Sequence, residues 1–100
     1  MSTLHTVNGS PDSGLLDDCR TRLGANDALL LIENGVFYAT DTDANDSASL
    51  QLPDSVKCYV LREDCVARGI LEHCHARFEI IDYGGFVTLC AEYDKTIAWF

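Results

Sequence analysis

The stretch Ala28-Leu29-Leu30-Leu31-Ile32 decides the fold. Its apolar residues run continuously, with no polar residue at every second position, and the run is too short for a buried helix. A strand with a solvated face alternates; one covered on both faces has no reason to. The run is therefore read as a central strand with helices above and below it. The neighbouring sequence agrees. Leu4 to Val7 is a first strand, and Asn8-Gly9-Ser10-Pro11 turns from it into Gly14-Leu15-Leu16-Asp17-Asp18-Cys19-Arg20-Thr21-Arg22-Leu23, which reads as a helix. Gly24-Ala25-Asn26-Asp27 ends that helix before the central strand begins.

Beyond the central strand the alternation continues. Val56 to Leu61 reads as a third strand, and Arg62-Glu63-Asp64 opens a helix that Gly69 stops. Phe78-Glu79-Ile80-Ile81 is a fourth strand. Asp82 is an N-cap for a helix from about Gly84 to Tyr93, with Phe86, Leu89, Cys90 and Tyr93 spaced for one apolar face. Lys95 to Phe100 supplies a fifth strand. The stretch from Phe37 to Pro53 is polar and acidic, read as a helical start after Gly35 followed by a loop. Strands alternating with helices predict an α/β protein: a three-layer domain over residues 1–100 with a mostly parallel sheet of about five strands.

The chain has 100 residues, 47% hydrophobic and 23% charged, an ordinary globular balance. Sixteen acidic against seven basic residues give a formal charge of −9, which repels phosphate and argues against direct nucleic-acid binding. Such a surface suits a basic protein partner. Neither a signal peptide nor a membrane span is expected from the residue pattern. Five cysteines at irregular spacing, Cys19, Cys58, Cys65, Cys74 and Cys90, favour free thiols in a reducing cytoplasm over a disulfide framework.

Several motifs fail on inspection. Asp41-Thr42-Asp43-Ala44-Asn45 imitates the start of a calcium loop, but Asp46 stands where glycine is needed and Leu52 where a bidentate glutamate is needed. Glu72-His73-Cys74-His75 offers metal-binding side chains in a row, yet adjacent residues point apart and cannot easily converge on one ion. A surface turn is the default there. Asn8-Gly9-Ser10-Pro11-Asp12 matches no phosphate-binding fingerprint and carries an acid where an anion would sit. Gly84-Gly85 is explained by a tight helix entry. Ser10, His5 and the aspartates do not define a hydrolase triad, and the G-x-S-x-G elbow is absent. No cofactor and no metal are expected.

The thiols remain. Cys58 lies within a strand and Cys90 on the apolar face of the last helix, and both are read as core. Cys65 stands near a helix start, where the helix dipole would lower its pKa while Glu63 and Asp64 oppose that. Leu16, Cys19 and Leu23 fall at i, i+3 and i+7, which places the Cys19 sulfur on or beside a buried stripe. An inert packed thiol is the favoured chemical reading of each, Cys19 included.

Taken together, several segments resemble one family. Met1-Ser2-Thr3-Leu4-His5-Thr6-Val7-Asn8 with Ser10-Pro11, Leu29-Leu30-Leu31-Ile32-Glu33-Asn34-Gly35-Val36, Tyr59-Val60-Leu61-Arg62-Glu63-Asp64 with Ala67-Arg68-Gly69, Ile81-Asp82-Tyr83-Gly84-Gly85-Phe86-Val87 and Ala98-Trp99 are similar, in order, to the TusB/DsrH family. The resemblance implies a flavodoxin-like, DsrEFH-type fold. It also implies a place in a cytoplasmic sulfur-relay complex, a heterohexamer with sister TusC/DsrF-like and TusD/DsrE-like subunits. Such a complex passes persulfide sulfur to a small sulfur-carrier protein for 2-thiouridine formation at the tRNA wobble position. The alternatives are a non-catalytic structural subunit of that complex and a DsrH-type subunit of dissimilatory sulfur oxidation. Some members of the family carry a cysteine in the first helix at a position that Cys19 matches, so Cys19 is the candidate persulfide carrier. An exposed Cys19 with a lowered pKa would favour the carrier role; a wholly buried one would favour the structural role.

Overall fold

A computed structural model describes residues 1–40 and 52–100. Five strands form one all-parallel sheet: β1 (Thr3–Val7), β2 (Ala28–Leu31), β3 (Lys57–Leu61), β4 (Glu79–Ile81) and β5 (Lys95–Trp99). The spatial order is β4-β3-β2-β1-β5. Among the described residues the helices are α1 (Leu15–Arg20), α2 (Arg62–Ala67) and α3 (Tyr83–Glu92), with 3₁₀ segments at Pro11–Ser13, Glu33–Ala39 and Leu71–His73.

The face on which each helix lies follows from chirality. From β1 to β4 the chain steps across the sheet in one direction, and from β4 to β5 it returns to the far side of β1. With right-handed crossovers, reversing direction puts the connecting helix on the opposite face. Accordingly α1, α2 and the Glu33–Ala39 segment cover one face, and among the described residues α3 covers the other. This yields the expected three layers, with a strand order distinct from the 2-1-3-4-5 of flavodoxin.

Side chains of β2 alternate between the two cores even though all are apolar. Leu29 and Leu31 pack with Val7, Leu16, Val36 and Val60 on the first face; Ala28 and Leu30 pack with Leu4, Leu61 and Leu89 on the second. All four β2 residues are fully buried, as the unbroken apolar run requires. Gly35 allows the closest approach in the fold: a Cβ there would run into the carbonyl oxygen of Val7 at the end of β1. Glycine is thus what lets the segment after β2 pass the end of β1.

Local signals act as expected at two helix ends. Asp82 caps α3, its Oδ1 accepting from the Gly85 N–H at 2.8 Å. Gly69 follows α2 with φ +68°, the left-handed conformation that ends helices. The helical stretch near Gly35 begins earlier than expected, at Glu33, and is 3₁₀. Most of the calcium-like segment, including Asp41, Asp43 and Asn45, lies outside the described residues.

One expectation is corrected. Cys90 is exposed, not core. The inward line of α3 is Phe86, Leu89 and Tyr93, at i, i+3 and i+7, and it centres on Leu89. Cys90 lies about 100° further round and reaches solvent.

Candidate functional site

The first site to build is Cys19. It lies in the six-residue α1, whose Leu16 and Cys19 are its buried residues, while Leu23 beyond the helix packs against the same core. The Cys19 side chain is 0% exposed, among Val7, Leu29, Leu31 and Val36 in the same cluster. Burial pushes the thiol up to about 12, the negative Asp27 adds to this, and Arg20 opposes it. A thiol so placed is protonated at neutral pH, and its sulfur lies where no partner's persulfide can reach it.

Asp27 belongs to a second cluster, which sequence reasoning missed. It immediately precedes β2 and closes the turn after α1. Its Oδ1 accepts from the Thr3 N–H at 2.9 Å, and its Oδ2 from the Gly24 N–H at 2.9 Å. His5 Nε2 stands 3.0 Å from the same Oδ2. On the other side of the ring, Trp99 Nε1–H donates to His5 Nδ1 at 3.1 Å. An indole nitrogen can only donate, so Nδ1 accepts and Nε2 carries the proton toward Asp27. The rings of His5 and Trp99 are near-parallel, with centroids 6.3 Å apart. Burial alone would raise the Asp27 carboxyl. The Gly24, His5 and Thr3 hydrogen bonds and the nearby imidazole outweigh that and hold it below the usual carboxylate range.

This arrangement resembles part of a hydrolase triad but cannot act as one. Both imidazole nitrogens are engaged, so neither has a free lone pair to take a proton from a nucleophile. Its effect is to tie β1, the β2 entry and β5 together. Asp27→Ala leaves the Thr3 and Gly24 amides and His5 Nε2 without their acceptor and will destabilise the fold by about 3 kcal/mol. Asp27→Asn will also destabilise it, because the amide can keep only one of the two accepting oxygens. Urea midpoints measure both. In the parent the Asp27 contribution is present above its ordinary value of 3.8 and is lost as pH falls below it. An unchanged midpoint in Asp27→Ala would refute this account.

The other cysteines divide by position. Cys58 is core as expected, its thiol raised by burial against the opposing charge of Arg77. Cys65 is 0% exposed, in keeping with the inert packed reading, and burial with the neighbouring Cys74 pushes it up to about 12. The row Glu72-His73-Cys74-His75 fans out: Cys74 turns to Cys65 at 3.7 Å, while His75 Nδ1 accepts from the Arg77 N–H at 3.0 Å. Among the described residues no group of three or more His, Cys, Asp or Glu side chains is arranged to hold a metal ion.

A cleft lies between the amino ends of β3 and β4, lined by Val56, Cys58, Tyr59, Arg77 and Glu79. Ligand sites in open parallel sheets lie at the carboxyl ends of strands. Here Arg77 is already committed to the carbonyls of Pro53 (2.6 Å) and Val56 (3.0 Å). Among the described residues no helix is long and apolar enough to cross a membrane.

Fold and site thus define a small all-parallel α/β protein of order 4-3-2-1-5 with a closed thiol in its first helix. Residues 10–96 match the DsrH-like protein family, and the chain belongs to that family. It is 36% identical over 96 residues to protein TusB of Pectobacterium parmentieri, covering 96% of this chain and 99% of that protein. Protein TusB of Escherichia coli K12 is 32% identical over the same length and shares of the two chains. The solution structure of protein Tm0979 from Thermotoga maritima superposes with a TM-score of 0.68 at 27% identity, over 90% of this chain and 92% of that one.

Proposed function

We propose that this chain is a subunit of a cytoplasmic sulfur-relay complex that passes persulfide sulfur between proteins, serving 2-thiouridine formation at the tRNA wobble position. Within that complex its role is structural. The similarity to TusB proteins along nearly the whole chain carries the reading. The burial of Cys19 supports the structural role, because sulfur transfer needs a thiolate that a partner's persulfide can reach in line. Two features suit assembly with sister TusC/DsrF-like and TusD/DsrE-like subunits and a small carrier. Tyr83 and Val87, one turn apart on α3, are 54% and 70% exposed, and the charge of −9 favours a basic partner face.

A second reading gives Cys19 the sulfur. It is favoured by the shortness of α1, six residues, a piece small enough for a docked partner to displace. Persulfide loading separates the two. The chain, alone and with its sister subunits, is incubated with a persulfide donor, digested and weighed. The structural role predicts no added sulfur on the Cys19 peptide and undiminished relay in Cys19→Ala. An added sulfur there, with relay lost in Cys19→Ala, would establish the carrier instead.

A further inference from the structure

Cys65 and Cys74 are nine residues apart in sequence, and their Sγ atoms are 3.7 Å apart. Cys65 lies on the inner side of α2 and is 0% exposed. The chain leaves α2 through the left-handed Gly69, makes the 3₁₀ turn Leu71–His73 and returns Cys74 to the first thiol. Cys74 is held there from its other side. Its backbone bridges Thr40, and the next residue, His75, donates its N–H to the Ala39 carbonyl at 2.6 Å. Cys74 Sγ also reaches the Ile70 carbonyl at 3.6 Å. A disulfide bond is about 2.05 Å long, so the sulfurs need to close by less than about 2 Å.

The pair is asymmetric. Cys74 is half-buried, while Cys65 beside it is wholly buried. A thiol on a partly exposed residue, next to a closed one at near-bonding distance, has the layout of an attacking and a resolving cysteine. Neither takes part in the Cys19 or the His5–Asp27–Trp99 cluster.

We propose that Cys65 and Cys74 form a persulfide-discharging site, in which Cys74 takes the outer sulfur of a small-molecule persulfide and Cys65 expels it as sulfide. In the first step the Cys74 thiolate attacks the outer sulfur of the donor. The donor S–S bond breaks and the donor leaves as a thiolate. In the second, Cys65, closed like Cys19 but with its target sulfur already 3.7 Å away, gives up its proton as it attacks Cys74 Sγ; the bond to the outer sulfur breaks and hydrosulfide leaves. The two thiols lose two electrons to the sulfane sulfur, and their two protons pass to the departing thiolate and hydrosulfide. The product is a Cys65–Cys74 disulfide, which a dithiol reductant reopens. The choice of a persulfide as oxidant rests on the sulfur-relay reading; the closing of the pair does not.

The test uses the full chain carrying Cys19→Ser, so that loading of Cys19 plays no part. Under anaerobic conditions it is treated with glutathione persulfide, or separately with oxidised glutathione. The expected result with persulfide is a linked Cys65–Cys74 peptide, lighter by two hydrogens, and sulfide in equal amount. Oxidised glutathione should give the same linkage without sulfide. Cys65→Ser should keep the added sulfur on Cys74 and lower sulfide release by at least about tenfold, since no resolving thiol remains. Cys65→Ala serves if the serine variant fails to fold. Linkage with oxidised glutathione but not with persulfide would overturn the discharge step, and linkage with neither would show two thiols that are merely packed. Sulfide release unchanged in the Cys65 variant would also overturn the proposal. A failure to load Cys19 in the earlier experiment leaves all these outcomes readable.

Discussion

In the native protein at pH 8, Cys90 will be alkylated by iodoacetamide first and Cys19 last, by a factor of at least a thousand. The factor has two origins. A thiol raised from 9.0 to about 12 holds roughly a thousandfold less thiolate at any pH below both values. The Cys19 sulfur is also wholly buried, so reagent meets it only when α1 opens, and this lowers the rate further. Cys90 projects from α3 into solvent, where reagent meets it directly. Cys74 should fall between them, being half-buried, with Cys58 and Cys65 near the slow end. Timed labelling followed by peptide mass analysis gives each rate separately. In urea the five rates should converge, because the difference belongs to the fold. A native Cys19 rate within about tenfold of Cys90 would mean that α1 opens readily. The structural assignment of Cys19 would then give way to the carrier reading.

How far the sequence disclosed this molecule depends on the range of the interaction involved. The β2 run was legible because burial on both faces leaves a mark on every residue of the strand. The Asp82 cap and the Gly69 stop were legible because their causes lie within one turn of chain. Cys19 was placed correctly on the buried stripe by the spacing of its own helix. Cys90 was misplaced by the same method. The buried stripe of α3 centres on Leu89 and is narrower than periodicity marks out, and Cys90 falls just outside it. The His5–Asp27–Trp99 cluster was illegible for a different reason. Its members lie in or beside three strands, with His5 and Trp99 separated by 94 positions, and only the register β1 against β5 brings them together. A histidine in an otherwise buried strand was the one signal, and it names no partner. The Cys65–Cys74 pair was half visible: the two thiols lie nine residues apart in sequence, but it takes the turn at Gly69 to make them neighbours in space.

The same buried thiols will make the protein unusually sensitive to alkali. Cys19 and Cys65 each have an ordinary value of 9.0 and a folded value of about 12. Below pH 9 both states keep these protons, and pH has no effect through them. Above it the unfolded chain releases them while the folded chain retains them. The unfolded state then binds fewer protons, and the stability of the fold falls as pH rises. The slope is about 1.4 kcal/mol per pH unit for each thiol and ends only as the folded thiols themselves titrate. Two thiols together remove about 2.4 kcal/mol between pH 9.5 and 10.5. That is a large part of the 5–15 kcal/mol that holds a typical domain of this kind together. Tyr59 and Tyr93, both raised chiefly by burial, steepen the loss further above pH 10. Cys19→Ala isolates the thiol contribution, since it removes one such proton and leaves both tyrosines in place. Urea midpoints measured from pH 8 to 11 under a reducing agent should therefore fall steeply in the parent. In Cys19→Ala they should fall less steeply, by about 1.4 kcal/mol per unit. Parallel curves for the two proteins would show that Cys19 ionises as freely in the fold as outside it, which a sulfur sealed among Leu16, Leu29 and Leu31 cannot do.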